Sequence, residues 1–146
     1  MSDVDRAVEL FQSGCACSQA ILGAFGPRYG LDEERAVRVA AGFAGGMRMA
    51  ETCGAVTGAF MVFGLARCDG GCRTAEGRQA TYAGVTSFAE EFRRVHGTLV
   101  CRELLGCDIS TPGGAALARE QGLFRARCDG FVRVAAELLD RALEPR

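Results

Sequence analysis

The chain has 146 residues, 49% of them hydrophobic, and a formal net charge of -1, which is enough to bury a continuous core in one domain spanning residues 1–146. Acids and bases are mixed along it, so composition excludes a basic nucleic-acid surface and a long charged tail. One histidine and no tryptophan leave neither a Cys2His2 zinc motif nor a C-x-x-C-H haem attachment, and any metal must be held mostly by sulfur.

The N-terminal "MSDVDRAVELFQ" is acidic and amphipathic, unlike the basic start and apolar run of a signal peptide, and a cytoplasmic location is expected. Val4, Val8 and Phe11 mark a first helix whose stripe extends to Cys15. Cys17, Ala20 or Ile21, and Ala24 mark a second, ended by "GPRYG". A third runs from Leu31 through Val37, Ala40 and Ala44, with Asp32 as N-cap, and dissolves into "GFAGGMRM". Thr52 suits the N-cap of a fourth, "CGAVTGAFMVFGLA", with Cys53 in its first turn. That apolar run covers about 14 residues where a membrane span needs about 20, so it is expected to be a buried central helix and no membrane is implied. A fifth helix runs from about Thr74 to His96, with Val85, Phe88, Phe92 and Val95 inward and Glu90 and Arg94 outward at i,i+4. After the irregular "LGCDISTPGG", a last helix shows a seam of Phe124, Cys128, Phe131, Ala135, Leu138 and Ala142. No strand pattern appears. The expected fold is all-α, a compact single-domain bundle of about five to six helices.

Twenty glycines and eight cysteines are the compositional excesses. Cys17, Cys53 and Cys101 each fall near a helix start, and Cys128 lies early on the last seam. A buried cysteine is often only a small hydrophobe. A helix start, however, favours thiolate over thiol and so favours ligands and nucleophiles. Gly54 and Gly58, one turn apart beside Cys53, allow another backbone or a prosthetic group to come close. The tightest spacings are Cys15-x-Cys17, Cys68-x3-Cys72 and Cys101-x5-Cys107, and the lack of C-x-x-C removes the usual signatures of a thioredoxin pair and a zinc-ribbon knuckle.

The blocks "CSQAILGAF", "GFAGGMRMAETCGAVTGAFMVFGL", "FRRVHGTLVCRELLG" and "LFRARCDGFVRVAAELL" together resemble the small redox-active proteins named for the C_GCAxxG_C_C motif. The resemblance puts that family's four defining cysteines on Cys17, Cys53, Cys101 and Cys128. The family is in turn similar to the non-haem part of split-Soret cytochromes. This implies an iron–sulfur cluster on those four cysteines with Gly54 and Gly58 beside it, [2Fe–2S] favoured over [4Fe–4S]. The implied role is electron transfer or redox sensing with a redox partner protein, in a chain that could form a homo-oligomer. Two other classes stay open: a thiol–disulfide oxidoreductase with Cys53 as low-pKa nucleophile, and a structural zinc module.

Cys15, Cys68, Cys72 and Cys107 are not among the defining four. Cys15 is close enough to Cys17 to compete with it, and Ala16 stands where the family leads one to expect a capping asparagine. The "CDGGC" loop suits a reversible disulfide, a second metal clip or ordinary spare thiols. His96 is a candidate ligand or hydrogen-bond donor to cluster sulfur, or a helix-end histidine helped by the dipole. Arg48 and Arg102 are either cations near a cluster or solvated charges.

Overall fold

The most apolar stretch of the chain becomes the central helix of the molecule. The computed structural model describes residues 1–68 and 71–144 and contains eight α-helices: α1 Asp3–Gln12, α2 Cys17–Phe25, α3 Glu33–Ala40, α4 Gly54–Arg67, α5 Gln79–His96, α6 Cys101–Leu105, α7 Pro112–Glu120 and α8 Asp129–Leu143. The fold is all-α as expected. Among the described residues the β pairing is confined to one antiparallel bridge between Thr52 and Val100. Nor is any helix among them long and apolar enough to cross a membrane.

The helix number differs from the expected five to six because α6, of which only the start at Cys101 was expected, and α7, which begins in the stretch read as irregular, are helices of their own. A helix of five residues, α6, is too short to show periodicity. The start of α7 carries two glycines, yet Thr111 accepts the Gly114 amide at 3.0 Å and Pro112 occupies the first turn. Capping therefore outweighs the poor propensity of "PGG". Helix α5 also begins at Gln79 rather than Thr74, after a run of turns. Its inward stripe steps by four through Phe88 and Phe92 to His96, which lies 4.7 Å from Phe92 and 4.9 Å from Phe131 between ring centroids. Val95, expected inside, is 54% exposed. Arg94 pairs with Glu91 at i,i+3, not with Glu90. The α8 seam holds through Leu138, but Ala142 is exposed where the helix outruns the core.

Every helix contributes to one continuous cluster of buried side chains. Helices α2 and α4 are its centre: Ala20 to Phe25 and Gly54 to Ala59 are all buried. Ser18 is fully buried in α2 and donates its hydroxyl to the Ala40 carbonyl at 2.9 Å, so its polar atom carries no desolvation deficit and fixes α3 against α2. The α2–α4 crossing is tight because α4 presents glycine there. A Cβ on Gly58 would lie 3.0 Å from Ile21 Cβ and 3.0 Å from the Ser18 carbonyl oxygen. On the opposite side of the bundle, Phe60 and Phe63 of α4 meet Phe88 of α5 edge to face at 6.2 and 6.0 Å.

Gly58→Ala is expected to lower the melting temperature, because overpacking by about 1–3 kcal/mol exceeds the roughly 1 kcal/mol gained in helix propensity. Gly64→Ala in the same helix, where an added methyl meets nothing within 4 Å, is expected to raise it. Thermal unfolding of both variants gives the comparison, and a stabilised Gly58→Ala protein would contradict the close crossing.

Candidate cysteine site

Three local devices bring distant cysteines to one place. The first is a backbone clasp. Cys53 donates its amide to the Leu99 carbonyl at 2.8 Å, and Cys101 donates its amide to the Glu51 carbonyl at 2.5 Å. The segments before α4 and α6 thus run antiparallel side by side, setting Cys53 next to Cys101. The second device is Gly54, whose added Cβ would lie 2.9 Å from the Ser18 amide nitrogen and 3.4 Å from Cys17 Cβ. Absence of a side chain at Gly54 lets the start of α2 reach the start of α4. In the third, Arg127 donates to the Leu105 carbonyl at 2.9 Å, tying the helical turn Phe124–Cys128 to the end of α6.

Cys17, Cys53, Cys101 and Cys128 consequently line one cavity of about 370 Å³, far more than the ~10–15 Å³ that admits one water. Cys53, Cys101 and Cys128 are buried and Cys17 is partly so. Gly54 belongs to the wall as well. Gly58 sits one turn deeper, against α2, and its contacts are with Ile21 and Ser18. Among the described residues, no three Cys, His, Asp or Glu side chains are drawn together tightly enough to hold one metal ion. The four thiols share the wall of one cavity instead.

Their electrostatics are unequal. Thr52 was expected as the N-cap of α4, but Cys53 takes that position itself, without a hydrogen bond from its sulfur to the first turn. The Val56 amide bonds the Cys53 carbonyl at 3.0 Å, and the Cys17 thiol lies beside the Cys53 sulfur. The Cys17 thiol above all, and then the backbone of Ala55 and Val56, outweigh burial and hold the Cys53 pKa below its ordinary value. Cys17 is pushed well above that range by its hydrogen bonds with Cys128 and Cys53 and by burial. Burial, then the charges of Cys53 and Cys128, push Cys101 up to about 12. Cys53 is thus the preferred thiolate and Cys17 the preferred proton holder.

One wall of the cavity is a left-handed turn. Gly45, Gly46, Met47 and Arg48 follow one another at φ near +60°, with Ala50 at +54°, and the Glu51 amide closes the turn on the Gly46 carbonyl at 3.2 Å. Each non-glycine residue there costs about 1–2 kcal/mol. Arg102 offsets this by donating to the Ala50 carbonyl at 3.2 Å and pairing with Glu51 at 2.9 Å. Arg102 therefore braces the turn, whereas Arg48 lies on the cavity wall. Sequence reasoning missed Arg119, which reaches the same wall from α7; the signal was Thr111-Pro112, a helix start masked by glycines.

The remaining candidates lie elsewhere. Cys15 and Cys107 are partly buried and are not on the wall. Burial is the main cause of the raised Cys15 pKa. Cys68 and Cys72 are joined in a disulfide. His96 is not a wall residue, although Phe131, which its ring abuts, is. Its Nε2 is buried without a hydrogen-bond partner, and burial depresses its pKa.

A family model described as "Putative redox-active protein (C_GCAxxG_C_C)" matches residues 15–142. No curated protein and no solved structure matches the chain.

The raised pKa of Cys101 has a sign that can be checked in the free-thiol protein. Below the unfolded value near 9 both states keep the proton. Above it the unfolded chain releases the proton while the folded one retains it until about 12, so stability is lost as pH rises through that window. The melting temperature is expected to fall less between pH 8 and pH 10.5 in Cys101→Ala than in the parent. Equal falls would remove the buried neutral thiol from the account.

Proposed function

Because the chain belongs to the redox-active family defined by the C_GCAxxG_C_C motif, we propose that it is an iron–sulfur protein working in electron transfer or redox sensing, with Cys17, Cys53, Cys101 and Cys128 as ligands. One observation carries this reading: four thiols from four separate segments surround a single cavity. Thiol–disulfide chemistry needs two sulfurs. Four on the wall of one cavity suit the donor set of a multi-atom, sulfur-ligated group, with [2Fe–2S] kept ahead of [4Fe–4S].

A cluster supplies one-electron transfer at a potential set by its surroundings. The chain's own part is ligation, charge compensation and exclusion of water. Four thiolates bring negative charge, and the starts of α2 and α4 meet it with unpaired amides and the positive ends of their dipoles. Arg48 and Arg119 add two cations on the wall. Phe11, Phe124 and Phe131 supply apolar cover. The protons on Cys17 and Cys101 must leave when ligands bind, so cofactor uptake should weaken as pH falls. Within this reading the partner is a redox protein, the location cytoplasmic, and nucleic acid and membrane play no part.

The depressed pKa of Cys53 beside the Cys17 thiol favours a second reading, a thiol–disulfide oxidoreductase with Cys53 as nucleophile. A zinc module is the third. Anaerobic purification with iron, zinc and sulfide analysis separates all three.

The parent is expected to hold iron and acid-labile sulfide with visible absorption, and Cys53→Ser to lose most of each. The double variant Cys68→Ser/Cys72→Ser is expected to keep them. In the intact protein, alkylation at the four wall cysteines should be slow until the cofactor is stripped and then rise at all of them together. Rapid labelling of Cys53 alone in a folded, colourless parent would favour the oxidoreductase, and stoichiometric zinc without sulfide the structural module.

A further inference from the structure

The Cys68–Cys72 disulfide lies outside the site described above. From Cys53 to Cys68 the chain runs the length of α4, about 22 Å at 1.5 Å per residue, so the two sulfur centres sit at opposite ends of one helix. The bridge joins positions only four apart in sequence. It ties no two helices together, and closing so short a loop removes little entropy from the unfolded chain. The packing of α4 on α5 is secured independently by Phe60, Phe63 and Phe88 and by Gly84, whose added Cβ would lie 2.7 Å from the Phe63 ring. A structural purpose for the bridge is therefore weak.

Its surroundings suit exchange chemistry. Cys72 is exposed, as are the four residues that follow it. Cys68, Gly71, Cys72, Arg73 and Thr74 border a surface hollow of about 310 Å³. Arg78 donates to the Cys72 carbonyl at 2.9 Å and to the Tyr82 hydroxyl at 2.7 Å, which anchors a cation on the Cys72 backbone. Arg73 adds a second cation next in sequence. Positive charge there draws in an attacking thiolate and favours the thiolate released. Cys68 is less exposed, and the Thr81 hydroxyl lies 3.3 Å from its sulfur.

We propose that Cys68 and Cys72 form a second redox site, a C-x3-C pair that exchanges two electrons with a dithiol. The thiolate of the incoming dithiol attacks Cys72 sulfur. A mixed disulfide forms, the Cys68–Cys72 bond breaks, and Cys68 leaves as a thiolate that Thr81 can hydrogen-bond before solvent protonates it. The second thiol of the dithiol then attacks the mixed disulfide, closing the partner's own disulfide and releasing Cys72. The dithiol loses two electrons and two protons, and the cysteine pair gains them. The reverse step oxidises the pair at the expense of a partner disulfide.

The test uses the full chain equilibrated with varied ratios of reduced to oxidised dithiothreitol and, in parallel, with a protein dithiol of the C-x-x-C type. Free thiols are trapped with maleimide and located by peptide mass spectrometry. Cys68 and Cys72 are expected to appear together along a two-electron titration curve, with circular dichroism and melting temperature close to the oxidised protein's. Faster reduction by the protein dithiol would identify a protein partner, and equal rates a small-molecule one, both in support. With a dithiol disulfide as donor, Cys68→Ser should form a mixed disulfide at Cys72 at least about tenfold faster than Cys72→Ser forms one at Cys68, as the difference in exposure requires. A pair that stays oxidised until denaturant is added, a reduction that unfolds the protein, or equal rates at the two sulfurs would overturn the proposal. Iron measured in the same samples reports separately on the cavity, so failure of either reading is recognisable without the other.

Discussion

The arrangement depends on one close approach, that of the backbone just before α4 to its neighbours. Cys53 and Cys101 exchange amide hydrogen bonds with the partner segment on either side of the Thr52–Val100 bridge, and Gly54 lets the first turn of α2 touch the first turn of α4. Both contacts are intolerant of bulk, since they are made by backbone atoms and the neighbouring atoms cannot rotate away. The Arg127 clamp on α6 then adds Cys128. Of four cysteines separated by as many as 111 positions, three are gathered by main-chain geometry and the fourth by the Arg127 side chain.

Competition between burial and hydrogen bonding explains why the four sulfurs differ. Removing a thiolate from water raises its pKa, as at Cys101. At Cys53 the neighbouring Cys17 thiol and the start of α4 reverse the direction that burial alone would give. The strained left-handed turn on the opposite wall is a second expenditure of stability at the same cavity. Sites that bind or react are where such strain is retained.

Much of this was legible in the sequence. The long, strongly periodic helices α1, α2, α4 and α8 follow from spacing alone, and the central place of α4 follows from its apolarity. Cys17, Cys53, Cys101 and Cys128 stood out by lying at helix starts or on a seam, and they do share a cavity. Illegible features were those set by tertiary contact. Periodicity cannot register a five-residue helix such as α6, and the glycines of α7 hid a good cap. Whether Val95 or His96 turns inward depends on where Phe131 stands, which no local pattern states. Nor does any sequence rule predict a run of left-handed residues that includes Met47 and Arg48; it exists because Arg102 and the Glu51 amide hold it. At Gly58 the close neighbour that the missing side chain admits is α2, through Ile21 and the Ser18 carbonyl.

Iron K-edge X-ray absorption on the anaerobic protein is the decisive measurement for four-thiolate ligation, because it reports the atoms around the metal without perturbing the chain. The account predicts a first shell made of sulfur alone together with an iron–iron vector. A shell containing nitrogen or oxygen ligands, iron with no iron neighbour, or a protein that takes up no iron at all would contradict it.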